Sequence, residues 1–166
     1  MTRCGLLTFD PESDKIILGS MPEEIFLNLA ELLGVQEEPS VQQLALYIPD
    51  KNRHGDKIDN LEGWIEEAKK ILSVIGGSGA TAMPPADGSW LKFESRALDA
   101  DAVTEQDLLF EKTIIIYSYI DPEKFMKNLQ PLREFLHRFG RETDQGEVVF
   151  EFDLKFYKIS KYDEAK

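Results

Sequence analysis

Residues 113–120 constrain the fold more than any other part of the sequence. They read Thr-Ile-Ile-Ile-Tyr-Ser-Tyr-Ile, a nearly continuous run of β-branched and aromatic residues. Such residues favour β-strands, and a strand without regular polar alternation is typical of the centre of a sheet that is covered on both faces. The sequence therefore predicts a sheet built around this segment.

The segments around this strand alternate between strand-like and helical patterns. Apolar positions at three- and four-residue spacing predict helices over residues 20–34, 60–75 and 122–140. Pro131 is expected to kink or split the third helix, and Gly140 to end it. Shorter apolar runs predict further strands at 5–9, 15–18, 44–48, 80–83, 88–93, 147–152 and 156–159.

From residue 43 the order of elements is β-α-β-β-α-β, followed by one more strand. This is the ferredoxin-like arrangement of the α+β class, an antiparallel sheet with two helices on one face. Residues 1–40 are predicted to form an N-terminal β-hairpin and helix, joined to the core by a connector at 35–41. The expected organisation is a single domain over 1–166, with the ferredoxin-like core at 41–160.

Charge and cysteine content exclude several classes of function. Lys plus Arg number 19 and Asp plus Glu 31, a net charge of −12, which argues against a nucleic-acid binder or a protein of anionic membrane surfaces. The one cysteine, Cys4, cannot form an intrachain disulfide. Neither a signal peptide nor a membrane-spanning run is recognisable, so we expect a cytoplasmic protein.

The loop over residues 50–59 is the best candidate for a metal site. Oxygen ligands at alternate positions and a glycine at the sixth resemble the start of a calcium loop. The pattern fails at its twelfth position, where Leu61 replaces the required glutamate, so a polar loop with Asp59 or Asn60 capping the next helix is the favoured alternative. The candidate metal ligands are Asp50, Asn52, His54 and Asp56.

A second candidate region is the end of the helix over 122–140 and the polar loop after it. The helix has a basic patch of Arg133, His137, Arg138 and Arg141, which could bind an anion or pair with acidic residues one turn away. His137 is expected to be an ordinary surface or boundary histidine. The loop leads into a core strand, a place where functional residues often lie. The candidate binding residues are Arg138, Arg141, Glu142 and Gln145.

Three stretches of sequence resemble a group of uncharacterised bacterial proteins. They are Tyr-Ile-Pro-Asp-Lys-Asn-Arg-His-Gly at 47–55, Gly-Gly-Ser-Gly-Ala-Thr-Ala at 76–82 with Gly88 and Trp90, and Phe-Leu-His-Arg-Phe-Gly-Arg-Glu at 135–142 with Gln-Gly-Glu-Val at 145–148. The resemblance covers about residues 44–159 and implies one compact ferredoxin-like core with no assigned activity. The similar proteins have a shorter Gly-Gly-Ala-Thr link, which makes Ser78 and Gly79 an insertion.

The function favoured by the sequence is a non-enzymatic interaction or small-ligand-binding domain that forms a homodimer and needs no cofactor. Half of six aromatic residues on neighbouring strands could point away from the helices: Tyr117, Tyr119, Phe150, Phe152, Phe156 and Tyr157. The alternative is a metal-assisted hydrolase that uses Asp50, His54 and Asp56, with Arg141 and Glu142 across a cleft. Its two loops could fall at opposite ends of the sheet, which would exclude a shared site.

Overall fold

A computed structural model describes residues 5–10, 15–20, 32–34 and 42–164. Their contacts divide the chain into two units, Met1–Pro39 and Ser40–Lys166. The boundary falls within the predicted connector at 35–41. The prediction that the two form a single domain is not tested by this division and stays a prediction.

The described strands of the first unit form a hairpin, as the sequence predicts. Strand β1 (Gly5–Asp10) pairs antiparallel with β2 (Lys15–Ser20), with Gly5 opposite Ser20 and Asp10 opposite Lys15. Of the helix predicted over 20–34, Leu32 and Leu33 are helical and Gly34 has a φ of 68°. The rest of that predicted helix lies outside the described residues.

The second unit contains a six-stranded antiparallel sheet and three helices, which confirms the predicted α+β class. The strands lie in the order β4, β6, β3, β7, β8, and β5 pairs with the same edge of β6 as β4 does. Two features distinguish this sheet from a simple four-stranded one: β4 and β5 share one strand position, and β8 adds a further strand beyond β7. The strands are β3 (Gln43–Pro49), β4 (Thr81–Ala82), β5 (Ala86–Leu91), β6 (Leu108–Tyr119), β7 (Val148–Phe152) and β8 (Lys155–Ile159).

The core lies between one face of this sheet and helices α1 (Leu61–Gly76), α2 (Pro122–Lys127) and α3 (Leu129–Glu142). Alternate residues of the strands contribute to it because successive side chains of a strand point to opposite faces. The fully buried members include Leu46, Leu72, Ile116 and Phe139. Among the described residues, no helix is long and apolar enough to cross a membrane.

The helix predicted over 122–140 is split, although not at Pro131 itself. A proline ring clashes with the carbonyl group four residues earlier, which here belongs to Lys127, the last residue of α2. Pro131 is the third residue of α3, where its missing N–H costs no intrahelical bond. The start of α2 is as predicted, because the Asp121 side chain accepts a 3.1 Å hydrogen bond from the N–H of Lys124.

The prediction that Gly140 ends this helix is wrong. Helix α3 continues to Glu142, and Thr143 follows it as the C-cap. A Cβ atom at Gly140 would lie 2.1 Å from Cε1 of Tyr162, so the glycine is required by the ring that packs over it. The capping prediction for α1 also needs correction: Asn60 occupies the cap position with a φ of 52°, but its side chain makes no capping hydrogen bond.

The central strand β6 is longer than predicted and differs on its two faces. Ile114, Ile116 and Ser118 are buried towards the helices, whereas Tyr119 on the opposite face is 55% exposed. Ile115 and Tyr117 on that opposite face are partly exposed. Within the described residues, the prediction of a strand covered on both faces is therefore wrong, and the partly open face contains a cleft.

Candidate functional site

A wide depression lies on the sheet face opposite the helices, and we call it the sheet cleft. Its volume is about 710 Å³, within the range of ordinary small-molecule pockets. It is formed by strands β3, β5, β6 and β7, the loop after β3, the segment 92–107 and the loop before β7. The residues that line it are Tyr47, Pro49, Asn52, Arg53, His54, Trp90, Leu91, Lys92, Glu94, Arg96, Leu109, Glu111, Thr113, Gln145, Gly146, Glu147, Val149 and Ser160.

Glu111 is the buried acidic group of the sheet cleft, with only 8% of its surface exposed. Its Oε1 atom accepts two hydrogen bonds, one of 2.6 Å from the indole N–H of Trp90 and one of 2.9 Å from the hydroxyl of Thr113. The register in which β5 pairs with β6 brings these three side chains together. Gly88 lies directly opposite Glu111, and Trp90 is two residues further along the same face of β5. Burial raises the pKa of Glu111, and the nearby Asp50 carboxylate adds to the effect, whereas the two hydrogen bonds oppose it.

The segment 92–107 is held in place at one side of the sheet cleft by a partly buried polar contact. The Asp107 carboxylate accepts hydrogen bonds of 2.6 Å from the Ser95 hydroxyl, and of 2.9 and 2.6 Å from the N–H and hydroxyl of Thr104. Led by the Ser95 bond, these contacts lower the pKa of Asp107 to about 2. The segment contains two short 3₁₀ turns, Phe93–Ser95 and Glu105–Asp107.

An ion pair attaches this segment to the opposite side of the sheet cleft. Arg96 donates a 2.8 Å hydrogen bond to Oε1 of Glu147, which also pairs with Lys158 at 3.1 Å. The Arg96 hydrogen bond is the main reason that the pKa of Glu147 is lowered. Glu147 therefore remains charged and joins two walls that are far apart in sequence.

The two loops of the predicted hydrolase site lie at the same end of the sheet, so the separation that would exclude a shared site does not occur. Arg53 and His54 contact the Asp144 carboxylate at 2.6 and 3.1 Å, and the Gln145 side chain donates to the Lys51 carbonyl at 3.1 Å. The reason is that β3 and β7 are antiparallel neighbours. The end of one strand therefore meets the beginning of the other.

Two of the predicted metal ligands, Asp50 and Asn52, use their side chains to bind backbone N–H groups, of β6 in the first case and of the loop itself in the second. Asp50 accepts a 2.7 Å hydrogen bond from the N–H of Lys112, and Asn52 accepts from the N–H groups of His54 and Asp56, both at 2.9 Å. Among the described residues, no three histidine, cysteine or acidic side chains are grouped as metal ligands. The metal-assisted hydrolase remains an untested prediction at this loop.

The predicted binding residues are divided between two depressions. Gln145 lines the sheet cleft, whereas Arg138 and Glu142 line a second depression of about 500 Å³ beside Trp64. Arg138 lies over the Trp64 ring, 5.1 Å from its centroid, and pairs with Glu67. Arg141 lines neither depression, because it donates a 2.6 Å hydrogen bond to the Asp163 carbonyl.

The basic patch of α3 is contacted by Asp163, a residue near the end of the described chain. Arg133 pairs with Asp163 at 2.8 Å. His137 is 6% exposed, and its Nδ1 accepts a 2.9 Å hydrogen bond from the N–H of Asp163. It is therefore a buried histidine rather than the surface or boundary residue that the sequence predicts.

Three important residues of the sheet cleft, Trp90, Glu111 and Thr113, are absent from the sequence-based candidates. The predicted strand begins only at Thr113, so Glu111 falls outside it. Extending the alternation of β6 backwards from Ile115 would have placed Thr113 and Glu111 on one face. The contribution of Trp90 depends on how β5 pairs with β6, which the sequence pattern does not specify.

Glu111→Gln is expected to raise the free energy of unfolding at neutral pH. Because the pKa of Glu111 is raised in the folded chain, the folded state holds more protons than the unfolded state between the two pKa values. Its stability therefore falls as pH rises through that interval. The difference between variant and wild type should vanish below the ordinary glutamate pKa of about 4.3. Urea unfolding at pH 7 and below pH 4 measures it.

Glu123→Gln is the matched control, since it removes the same charge from an exposed position of α2. It should leave the free energy of unfolding almost unchanged at both pH values. A Glu111→Gln protein that is less stable than wild type at neutral pH would contradict the description of Glu111 as a carboxylate whose charged form is disfavoured by burial.

Comparisons with known proteins give one similar solved structure. No protein-family profile matches the chain, and no curated protein matches it. The chain is similar to a phage SAM lyase in complex with S-methyl-5′-thioadenosine, with 13% sequence identity and a TM-score of 0.48. The match covers 76% of this chain and 96% of that one.

Proposed function

We propose that this protein is a non-enzymatic small-ligand-binding domain and that the sheet cleft is its binding site. The observation that supports the proposal most strongly is the buried Glu111 carboxylate in a cleft of about 710 Å³. A carboxylate in such a place lowers the stability of the free protein, and groups that lower stability are often retained for binding.

The walls of the sheet cleft also suit a small organic molecule. Trp90, Leu109, Tyr47 and Val149 supply apolar and aromatic surface, and charged and polar side chains that include Glu111 line the rest of the space. Ligand pockets are typically apolar cavities with a small number of fixed polar groups. The Tyr47 hydroxyl is itself fixed by a 3.0 Å hydrogen bond that it donates to Glu151.

We extend the proposal to topology and assembly. The four strand positions β7, β3, β6 and β4/β5 are assigned to a ferredoxin-like arrangement, with β8 as an addition.

The homodimer expected from the sequence is supported by two exposed aromatic side chains on the sheet face opposite the helices, Tyr119 and Phe156, which are 55% and 51% exposed. Sedimentation that shows only monomer at high protein concentration would contradict the dimer.

The two tryptophans make the binding proposal directly testable by NMR. Trp90 lines the sheet cleft, whereas Trp64 belongs to α1 and packs against α3, with its ring centroid 5.3 Å from that of Phe139. We expect a panel of cationic, neutral and anionic aromatic fragments to contain compounds that shift the indole N–H signal of Trp90 and leave that of Trp64 in place. Trp90→Phe assigns the two signals.

A matched pair of variants locates the binding. Gly146→Phe places a ring in the sheet cleft, where a Cβ would have only an ordinary contact of 3.7 Å with Arg53, and should abolish the shifts. Gly79→Phe introduces the same ring where a Cβ would meet nothing within 4 Å, outside the cleft, and should preserve them. If no fragment moves the Trp90 signal, or Gly146→Phe leaves binding intact, the proposed function is wrong.

A further inference from the structure

We propose that the sheet cleft selects an organic cation, a protonated amine on an apolar or aromatic body, whose ammonium group binds Oε2 of Glu111. This inference rests on the proposed function and specifies the chemical class of its ligand. It follows from the free oxygen of Glu111, from the pairing of the nearby cations, and from the aromatic wall beside the carboxylate.

The Oε2 atom of Glu111 is the polar atom that a ligand would complete. Both hydrogen bonds to the carboxylate go to Oε1, and Oε2 accepts none from the described residues. Every fully buried side-chain oxygen and nitrogen in the described part of the chain has a partner, so Oε2 must be accessible. The space that Glu111 borders is the sheet cleft. A carboxylate oxygen only accepts hydrogen bonds, so its ligand must present a donor.

The positive groups around the sheet cleft already have partners within the protein. Arg53 pairs with Asp144 at 2.6 Å, Arg96 pairs with Glu147 at 2.8 Å, and Lys92 donates to the Gln106 carbonyl at 2.6 Å. Among the described residues, no cation forms an ion pair with Glu111: the positive charge of Lys51 lowers its pKa, but the Lys51 ammonium donates to the Phe110 carbonyl at 2.8 Å. A buried charge is costly unless it is paired, and a cationic ligand supplies the missing partner.

The aromatic surface next to Glu111 suits the body of such a ligand. The Trp90 indole is fixed by its own hydrogen bond to Oε1, at 2.6 Å, so its ring borders the same space as the free oxygen. Aromatic rings attract cations, and tryptophan does so most strongly. Leu109 and Val149 add apolar surface, and the net charge of −12 attracts cations to the protein as a whole.

Two ligands that differ only in their polar group test the inference. The probes are 2-phenylethylamine, which is protonated at neutral pH, and 2-phenylethanol, its uncharged counterpart, measured by titration calorimetry at pH 7. We expect the amine to bind at least tenfold more tightly than the alcohol. In Glu111→Gln this preference should disappear through loss of amine affinity, while the alcohol binds as it does to wild type.

Glu123→Gln is again the control, because it changes the net charge equally at an exposed site on α2. It should preserve the tenfold preference. Equal affinity for the amine and the alcohol, or an undiminished preference in Glu111→Gln, would overturn the inference.

The amine–alcohol comparison can fail while the proposed function still holds. If neutral or anionic fragments shift the Trp90 signal and the amine has no advantage, the cleft binds ligands and the cation assignment is wrong. If no fragment of the panel shifts it, the proposed function is wrong as well.

Discussion

Phe139→Ala is expected to lower the free energy of unfolding by about 3–5 kcal/mol, the usual cost of removing a buried aromatic side chain. Phe139 is fully buried, and its ring stacks on Phe135 with a centroid separation of 6.2 Å. Its other neighbour is Trp64 of α1, at 5.3 Å. The substitution would therefore leave a cavity at the point where α1 and α3 pack together.

Thermal unfolding measures this loss, which corresponds to roughly 6–20 °C for a chain of this size. Phe139→Leu fills part of the cavity and should lower the melting temperature less than Phe139→Ala does. It therefore provides a test even if the alanine variant does not fold. Met126→Ala on α2 is the control, because Met126 is 67% exposed, and it should change stability by less than about 0.5 kcal/mol. Equal losses at positions 139 and 126 would contradict the packing described for the core.

Gly76→Ala is expected to destabilise the fold by roughly 1–3 kcal/mol, the usual cost of inserting a group into a closely packed site. A Cβ there would lie 1.9 Å from the Ser118 hydroxyl and 2.7 Å from the Tyr119 carbonyl oxygen. The hydroxyl cannot move away freely, because it donates a 2.6 Å hydrogen bond to the Gly79 carbonyl. The clash should outweigh the gain in helix propensity of about 1 kcal/mol or less.

The matched control is Gly79→Ala in the same turn, where a Cβ would meet nothing within 4 Å. It should change the free energy of unfolding by no more than about 0.5 kcal/mol. Urea unfolding of both variants measures the difference. If Gly76→Ala is as stable as Gly79→Ala, the close approach of α1 to β6 is not as described.

Local patterns in the sequence predict the elements of the second unit well. The β-branched run at 113–120 predicts β6, and the apolar spacing over 60–75 predicts α1 to within one residue at each end. Half of the six aromatic residues on the sheet point away from the helices, as expected. Tyr117, Tyr119 and Phe156 alternate with the core-facing positions of their strands.

The errors come from contacts between residues that are distant in sequence. Gly140 reads as a helix stop because glycine is a common C-cap, and only the Tyr162 ring, packed from the end of the described chain, explains its place inside α3. His137 reads as a boundary residue because its burial depends on the same terminal segment.

The sheet cleft illustrates the same limit. Glu111 and Trp90 are 21 residues apart and meet only because β5 and β6 pair in one particular register. The sequence does identify Gln145 and the loop at 52–54, since polar residues beside core strands are natural candidates. It cannot show that the Asp50 side chain accepts from the N–H of Lys112 in β6, or that the Asn52 side chain holds the backbone of its own loop.

The most direct test of the account is a crystal structure of the protein with 2-phenylethylamine bound. We predict the ammonium nitrogen about 2.7–2.9 Å from Oε2 of Glu111, the usual distance of a charge-assisted hydrogen bond, with the phenyl ring against Trp90. An amine bound outside the sheet cleft, or one whose nitrogen points away from Glu111, would contradict the account.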